Sequence, residues 1–529
     1  MSKAKALMVL GTASHVGKSV TVAALCRILH EDGFKVAPFK AQNMALNSYA
    51  TKEGHEIGRA QAVQAFAAGL EPHVDMNPIL LKPTSDKVSQ IVLNGKVWGT
   101  LQAADFKTLK PQLFDQVIEA YERLASQYDY VILEGAGSPV EMNLKDGDMV
   151  NLRMAEAADA RCMLVADIDR GGVFASLVGT YTLLEYNERS RFVGFIVNKF
   201  RGEAALFKPG VDFLEQRLGQ PCLGVVPYMH NIRIDEEDSV GLETMSHQNI
   251  GRQSTGTEPK VTGDLDPAVD DSFLRICVVQ LPHLSNFSDF SMLREMNAVS
   301  LEYSDEPATA EAADVIIIPG TKNTIGDLNW LKSVGWEDQI MRHAANRRPV
   351  IGICGGFQML GRRVLDPDRV DGDVEEADGL GLLDVETWMT ASKVTRQARA
   401  QLVEPDLFWA VEAGPSFEGY EIHMGETDLG DGARPLFHLT RLGDDFSNFD
   451  GAISDDRLVL GTYLHGLFDA PDAAEFLVAH LRELTGKPGL PDGGSPERSP
   501  DLAYAELAAH FRQHLDMAAI YRAMGIHID

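Results

Sequence analysis

The stretch ALMVLGTASHVGKS (Ala6–Ser19) decides how the first half of this chain folds. Its five leading apolar residues, Ala6–Leu10, form a short uninterrupted run that suits a parallel strand buried on both faces. Gly11–Ser19 then reads as a loop opening a helix, because Ser19–Glu31 carries apolar residues at helical spacing. Strand, glycine loop, Gly-Lys-Ser and helix is the arrangement in which backbone N–H groups and a helix N-terminus point at phosphate oxygens. In it Lys18 neutralises β- and γ-phosphate oxygens, Ser19 offers a hydroxyl to Mg²⁺, and Gly11, Thr12 and Gly17 shape the loop. The spacing departs from strict G-x-x-x-x-G-K-[ST]: Gly11 lies six positions before Gly17, and Thr12 stands where the first glycine is usual.

Outward from this loop, short apolar runs recur: Lys35–Phe39, Tyr130–Glu134, Cys162–Asp167, Phe192–Asn198 and Cys222–Val226. Helical segments between them give a βαβ rhythm and predict a doubly wound, mostly parallel α/β sheet. Two runs end in an acid, Glu134 and Asp167. In an open parallel sheet, ligands gather at the carboxyl ends of the strands, so both are candidates to complete a metal site with Ser19, Glu134 foremost. Residues 241–272 are polar, rich in Gly, Ser and Thr, and read as a linker. A second α/β series follows, with strands Leu274–Val279, Asp314–Pro319, Val350–Ile353 and Leu458–Leu464. The expected division is a nucleotide-binding domain over 1–240, the linker, a second domain over 273–486, and a Pro/Gly-rich stretch with a last helix over 487–529. That helix places Leu507, Phe511 and Leu515 on one face.

Composition narrows the function. Lys and Arg total 48 against 77 Asp and Glu, a formal net charge of −29. Such an excess argues against nucleic-acid partners and polybasic membrane binding. The five cysteines form no CxxC pair, so neither a disulfide framework nor a zinc ribbon is expected. No secretory h-region and no run of 18 apolar residues is present, so the expectation is a cytoplasmic protein without a membrane span.

Cys354 stands apart from the other cysteines. The strand Val350–Ile353 runs into ICGGFQMLG (Ile353–Gly361): strand, sharp small-residue turn, then helix. This elbow presents a thiol at a helix N-terminus, where the helix dipole favours the thiolate. A base must come from elsewhere in the chain. His465, in GTYLHGLF (Gly461–Phe468), is the histidine that ends an apolar strand before a glycine. The PGTKNT turn (Pro319–Thr324), through Gly320, could supply one half of an oxyanion hole and the Gly355 N–H the other.

The elbow and the distant strand-end histidine resemble the class I, or triad-type, glutamine amidotransferases. The Gly11–Ser19 spacing resembles dethiobiotin synthetase and its amide-forming relatives. A phosphate-loop synthetase fused upstream of an amidotransferase narrows the resemblance to the cobyric acid synthase and cobyrinate a,c-diamide synthase group. Several blocks look specifically like cobyric acid synthases: PFKAQNMALNS (Pro38–Ser48), EIGRAQ (Glu56–Gln61), MNPILLKP (Met76–Pro83), LEGAGSPVEMNL (Leu133–Leu144), ADIDRGGVFAS (Ala166–Ser176), VNKFRG (Val197–Gly202), PGTKNT and GYEIHMGET (Gly419–Thr427). They cover nearly the whole chain, apart from the linker and Lys487–Pro500.

The resemblance implies glutamine hydrolysis at Cys354, activation of corrin carboxylates by ATP with Mg²⁺, and displacement of phosphate by ammonia. The implied conversion takes adenosylcobyrinic acid a,c-diamide, through amidation of the b, d, e and g side chains, to adenosylcobyric acid. A corrinoid polycarboxylate needs cations beside the phosphate loop; Lys40, Lys82, Arg170, Lys199 and Arg201 lie in the matching blocks. Asn43, Lys82 and Arg170 are the substrate-binding candidates. Lys40 serves ATP instead if it follows dethiobiotin synthetase, and Asn198 is a candidate for the adenine edge. One departure stands out: triad-type enzymes usually carry Glu two residues beyond the histidine, where this chain has Leu467. Glu421, Glu426, Asp469 or a backbone carbonyl are the candidates to orient His465. Two other readings compete: an a,c-diamide synthase, and a partition-ATPase-like switch carrying an inactive amidotransferase-like domain.

Overall fold

A computed structural model describes residues 3–85, 88–229, 234, 273–372, 374–404, 414–444, 447–487, 489–490 and 500–527. The linker expected at 241–272 lies outside the described residues.

The first domain is built on six parallel strands, in the spatial order Cys222–Pro227, Phe192–Phe200, Arg161–Asp167, Lys5–Gly11, Tyr130–Glu134, Val36–Phe39. Each expected apolar run is one of these strands, with its ends displaced by two residues at most. Leu7, Met8, Val9 and Leu10 are fully buried, as a central strand with helices on both faces requires. The sheet register sets Val9 beside Glu134, Gly11 beside Val165, and Asp167 beside Asn198. Four functional candidates therefore share the carboxyl edge of one sheet. A smaller sheet of Gln42–Met44, Ile79–Ser85, Val88–Leu93 and Lys96–Gln102, and the hairpin Ser48–Ala50 with Glu56–Gly58, extend this domain toward the second one.

The second domain holds an eleven-stranded sheet. Val299–Ser304, Leu274–Val279, Val315–Ile318, Val350–Ile353 and Val459–Thr462 form its parallel half. Its other half is largely antiparallel, carried by Val385–Leu402, Phe417–Leu429, Ala433–Arg441 and Ser447–Ser454. The α/β class is as expected; the antiparallel half and the strand Val299–Ser304 were not visible as apolar runs.

Two helices, Pro500–His514 and Met517–Ala523, form the C-terminal segment and pack on the first domain. Pro500–His514 returns to the first domain, where Tyr504, Leu507, Ala508, Phe511 and Leu515 join a core with Val22, Ala23, Cys26 and Leu29 of the helix Lys18–Glu31. No helix among the described residues is long and apolar enough to cross a membrane.

Candidate functional site

Two centres stand at strand carboxyl ends, one in each domain. In the first, the chain leaves the strand at Gly11, and the loop closes with Gly17 at φ 100°, the cap of the helix beginning at Lys18. Only glycine fits there: the conformation is left-handed, and a Cβ would overlap the Asn198 side-chain amide. Asn198 Nδ2 donates to the Val16 carbonyl at 2.9 Å, so this residue braces the loop from beneath. Thr12 gives its backbone N–H to the Val165 carbonyl. Lys18 Nζ donates to the carbonyls of Ala13 (2.8 Å) and Gly137 (3.1 Å), which holds the ammonium within the turn of the loop.

Glu134 is buried and is the hub of this centre. Its Oε1 accepts from Ser19 Oγ and from Lys40 Nζ, both at 2.9 Å, and its Oε2 accepts from Gln64 Nε2 at 2.6 Å. Burying a carboxylate is costly unless cationic or N–H partners compensate, and Lys40 is that partner. Asp167 accepts from the Asp169 N–H at 2.7 Å, capping the turn after its strand, and pairs with Lys199 at 3.1 Å. Lys199 Nζ also donates to the His15 carbonyl of the loop at 2.7 Å. Among the described residues no group of three or more His, Cys, Asp or Glu could hold a metal. The hard oxygens of Ser19 and Glu134 suit Mg²⁺ that takes its remaining ligands from phosphate and water.

The cations expected together are divided by the structure. Lys40 and Lys199 do stand at the loop; Arg170 lies exposed on the turn following Asp167; and Arg201 pairs with Asp169 while covering the Tyr228 ring. Lys82, expected beside the phosphate loop, is instead buried at the seam between the domains. There its Nζ donates to Ser48 Oγ (2.9 Å) and Glu56 Oε1 (2.7 Å), and Glu56 Oε2 takes Lys393 of the second domain at 2.5 Å. Burial draws the Lys393 ammonium down to about 8 despite Glu56, while Glu56 itself is held well below the carboxylate range by Lys393 and Lys82 against its burial. Burial also draws the Lys322 ammonium down, and the Asp371 carboxylate is the foremost charge opposing that shift. Asn43 is likewise buried, donating to Gln61 Oε1 at 2.9 Å.

In the second centre, Cys354 caps the helix Gly355–Leu360 with φ 51° and ψ −108°, a left-handed backbone rare for a residue with a side chain. The PGTKNT turn packs on the elbow so closely that a Cβ at Gly356 would overlap the Ile318 carbonyl oxygen. A Cβ at Gly355 would lie 3.1 Å from the Thr321 nitrogen, and one at Gly320 would lie 3.1 Å from His465 Cε1. The turn, the elbow and the imidazole therefore converge on one point. The Cys354 thiol donates to the Ile422 carbonyl at 3.7 Å, and its sulfur is among the groups that favour the charged His465 imidazole.

The group that orients His465 is Asp289, which the sequence reading missed. Asp289 Oδ2 lies 2.7 Å from His465 Nδ1, and Oδ1 accepts the Gly466 N–H at 3.3 Å. The three candidates named from sequence do not fill this position. Glu421 is held by Arg441 at 2.6 Å and by His423 at 3.1 Å, and these partners outweigh its burial and lower its carboxyl to about 2. Glu426 is exposed on the strand Phe417–Leu429, and Asp469 stands beside Gly466. Burial alone would drive the proton off His465; Asp289, together with the Cys354 sulfur, overrides it and raises the imidazole to about 10. The charged imidazole beside the sulfur is the nucleophile-and-base pairing that thiol catalysis uses. Asp289 stands in NFSDF (Asn286–Phe290), a 3-10 turn in the loop that follows the first strand of this domain, and no pattern in the sequence marks it.

Known proteins resemble the chain in the same two parts. The family model described as the CobQ/CobB/MinD/ParA nucleotide binding domain matches residues 7–240, and the CobB/CobQ-like glutamine amidotransferase domain matches residues 275–473. The cobyric acid synthase of Syntrophobacter fumaroxidans is 47% identical, with 99% of this chain and all of the relative aligned. Those of Desulforamulus reducens and Alkaliphilus metalliredigens are 45% and 44% identical, over 99% and 98% of this chain and 99% of each relative.

Proposed function

The chain belongs to the cobyric acid synthase family, and we propose that it amidates the b, d, e and g carboxylates of adenosylcobyrinic acid a,c-diamide using glutamine and ATP. The observation that carries this reading is the buried Cys354–His465–Asp289 line standing on the same chain as a phosphate loop. The first supplies ammonia and the second makes a carboxylate reactive toward it.

At the amidotransferase centre, the Cys354 thiolate attacks the side-chain amide carbon of glutamine. Backbone N–H groups of the elbow and the PGTKNT turn face the oxyanion that develops. His465 gives a proton to the departing nitrogen, so ammonia leaves and a thioester remains for water to hydrolyse. Asp289 keeps the imidazole oriented and stabilises its charge.

At the phosphate loop, a corrin carboxylate attacks the γ-phosphorus of ATP. Lys18 and the loop N–H groups hold the phosphates while charge accumulates on the transferred group. Ser19 and Glu134 would hold Mg²⁺, which would supply neutralisation of phosphate charge. Ammonia then attacks the acyl phosphate, expelling phosphate and leaving an amide. Lys40 serves the nucleotide side of this centre and Arg170 the substrate side; Lys82 acts from the buried seam and Asn43 from beside Gln61.

The test is the product. Supplied with glutamine, ATP, Mg²⁺ and the diamide, the enzyme yields a corrinoid carrying four further amides by mass spectrometry; a diamide left unchanged, with a and c amidated when cobyrinic acid is supplied in its place, would indicate the a,c-diamide synthase instead. Cys354→Ala abolishes glutamine-driven turnover while ammonium salts still support it, and Lys18→Ala abolishes both. Persistence of glutamine-driven turnover in Cys354→Ala removes the nucleophile assignment.

A further inference from the structure

The imidazole of His465 touches a residue that also holds the other domain. Asn286 has a left-handed backbone at φ 53° and sits three residues before Asp289. Its Oδ1 accepts the Ser48 N–H of the first domain at 2.9 Å, and its Nδ2 lies 3.4 Å from both ring nitrogens of His465. Beside it, the Phe287 N–H donates to Asn47 Oδ1 of the first domain at 3.3 Å. A second contact runs in parallel: the Tyr49 ring packs on Tyr420 with centroids 5.3 Å apart, and Tyr420 stacks on His465 at 5.4 Å and 18°. Thus Asn47, Ser48 and Tyr49, consecutive on the first domain, grip the loop and the ring that flank one imidazole.

This strand is not an isolated edge. Ser48–Ala50 pairs with Glu56–Gly58, which leads directly into the helix Arg59–Ala67, and Gln64 of that helix is a partner of Glu134 at the phosphate loop. Every side chain in this line is buried except Tyr49, which is half-buried. A buried amide whose oxygen accepts a cross-domain N–H and whose nitrogen packs against an imidazole cannot shift at one contact without disturbing the other.

We propose that Asn286 is a positioning residue that makes the setting of His465 depend on the docking of the Ser48–Gly58 hairpin. It rests on the glutamine-hydrolysing reading of the site. The hairpin then imposes the imidazole geometry needed at Cys354, and the amidotransferase is fully aligned only while the synthetase domain is seated on it.

Three readouts on the full chain test this: kcat and KM for glutamine hydrolysis, and the rate at which iodoacetamide alkylates Cys354 at fixed pH. In Asn286→Ala, kcat falls about tenfold, KM stays within twofold, and alkylation slows severalfold. Asn47→Ala, which alters only the synthetase side, moves kcat and alkylation in the same direction by a smaller factor. It also carries the test if Asn286→Ala fails to fold. Unchanged kcat and alkylation, or a rise in KM alone, overturn the proposal. Alkylation needs no glutamine: if it slows as expected in an enzyme that never hydrolyses glutamine, the positioning role stands and the glutaminase reading falls.

Discussion

Removing the Asp289 carboxylate would leave His465 a buried imidazole with its chief source of stabilisation gone, since burial opposes its charge. Asp289→Asn keeps the size and the hydrogen-bonding capacity but not the charge, so the imidazole falls from about 10 toward or below its ordinary value near 6.5. The expected result is a loss in kcat for glutamine hydrolysis on the order of a hundredfold, with ammonium-driven amidation retained. Linkage supplies a second measurement. In the wild type the raised imidazole stabilises the fold fully below pH 6.5, and that stabilisation is lost as pH rises toward about 10. The difference in Tm between wild type and Asp289→Asn should therefore be largest at or below pH 6.5 and narrow as pH approaches 10; a constant difference across that range would argue against charge stabilisation. Cys354 and His465 were legible because each follows closely on a buried strand. Asp289 was not, because it lies 176 residues from its partner and nothing in the intervening sequence records that the two loops meet. Glu421, inside the GYEIHMGET block, was one of the candidates, and only the fold shows that Arg441 and His423 claim it.

At the scale of elements, the elbow depends on close approach of two backbones. Gly356→Ala would drive a methyl group into the Ile318 carbonyl, and neither strand nor helix backbone can yield as a flexible side chain would. The expected cost is at least about 1–3 kcal/mol, read as a lower melting temperature together with loss of glutaminase activity. Melting within a degree of wild type would mean the turn relaxes freely. The parallel strands were readable because strands buried on both faces must be apolar throughout, as VIII (Val315–Ile318) and VIGI (Val350–Ile353) are. The long antiparallel strands follow another rule. Val385, Thr387 and Met389 face inward in alternation, but the register shifts between Met389 and Val394, which breaks the period in the middle of the strand. That irregularity carries Lys393 to Glu56 at the domain seam, so the feature that hid the strand also makes a cross-domain contact. The phosphate loop was legible in its main parts, Gly17, Lys18 and Ser19; the bracing role of Asn198 and the grip of Gln64 on Glu134 required the sheet register to place them.

On the scale of the molecule, the chain ends where it began. The helical face of Leu507, Phe511 and Leu515 was evident from spacing, but a stripe of apolar residues does not name its partner, and here the partner lies more than 470 residues upstream. Ion pairs also span this contact, Arg27 with Asp501 at 2.5 Å and Arg512 with Asp32 at 3.1 Å. Asp501 and Arg512 are solvent-accessible, and such pairs contribute at most about 1 kcal/mol each. Burial decides: Tyr504, Leu507, Phe511, Leu515, Ile520, Tyr521 and Met524 are all buried against the first domain. At about 1.5–3 kcal/mol per side chain the gross gain is on the order of 10–20 kcal/mol, before the cost of ordering the segment is subtracted. Even a small net remainder matters to a domain whose stability is typically about 5–15 kcal/mol. Deleting residues 500–529 should therefore destabilise the nucleotide-binding domain, although the deleted segment follows the amidotransferase domain in sequence. The expected outcome is a melting temperature lowered by roughly 10 °C or more, or an insoluble chain, with protease cleavage appearing first within residues 5–227. A truncated chain that melts as the full one does, or that is cleaved first in the second domain, would show that the C-terminal helices only cover the sheet and do not complete its core.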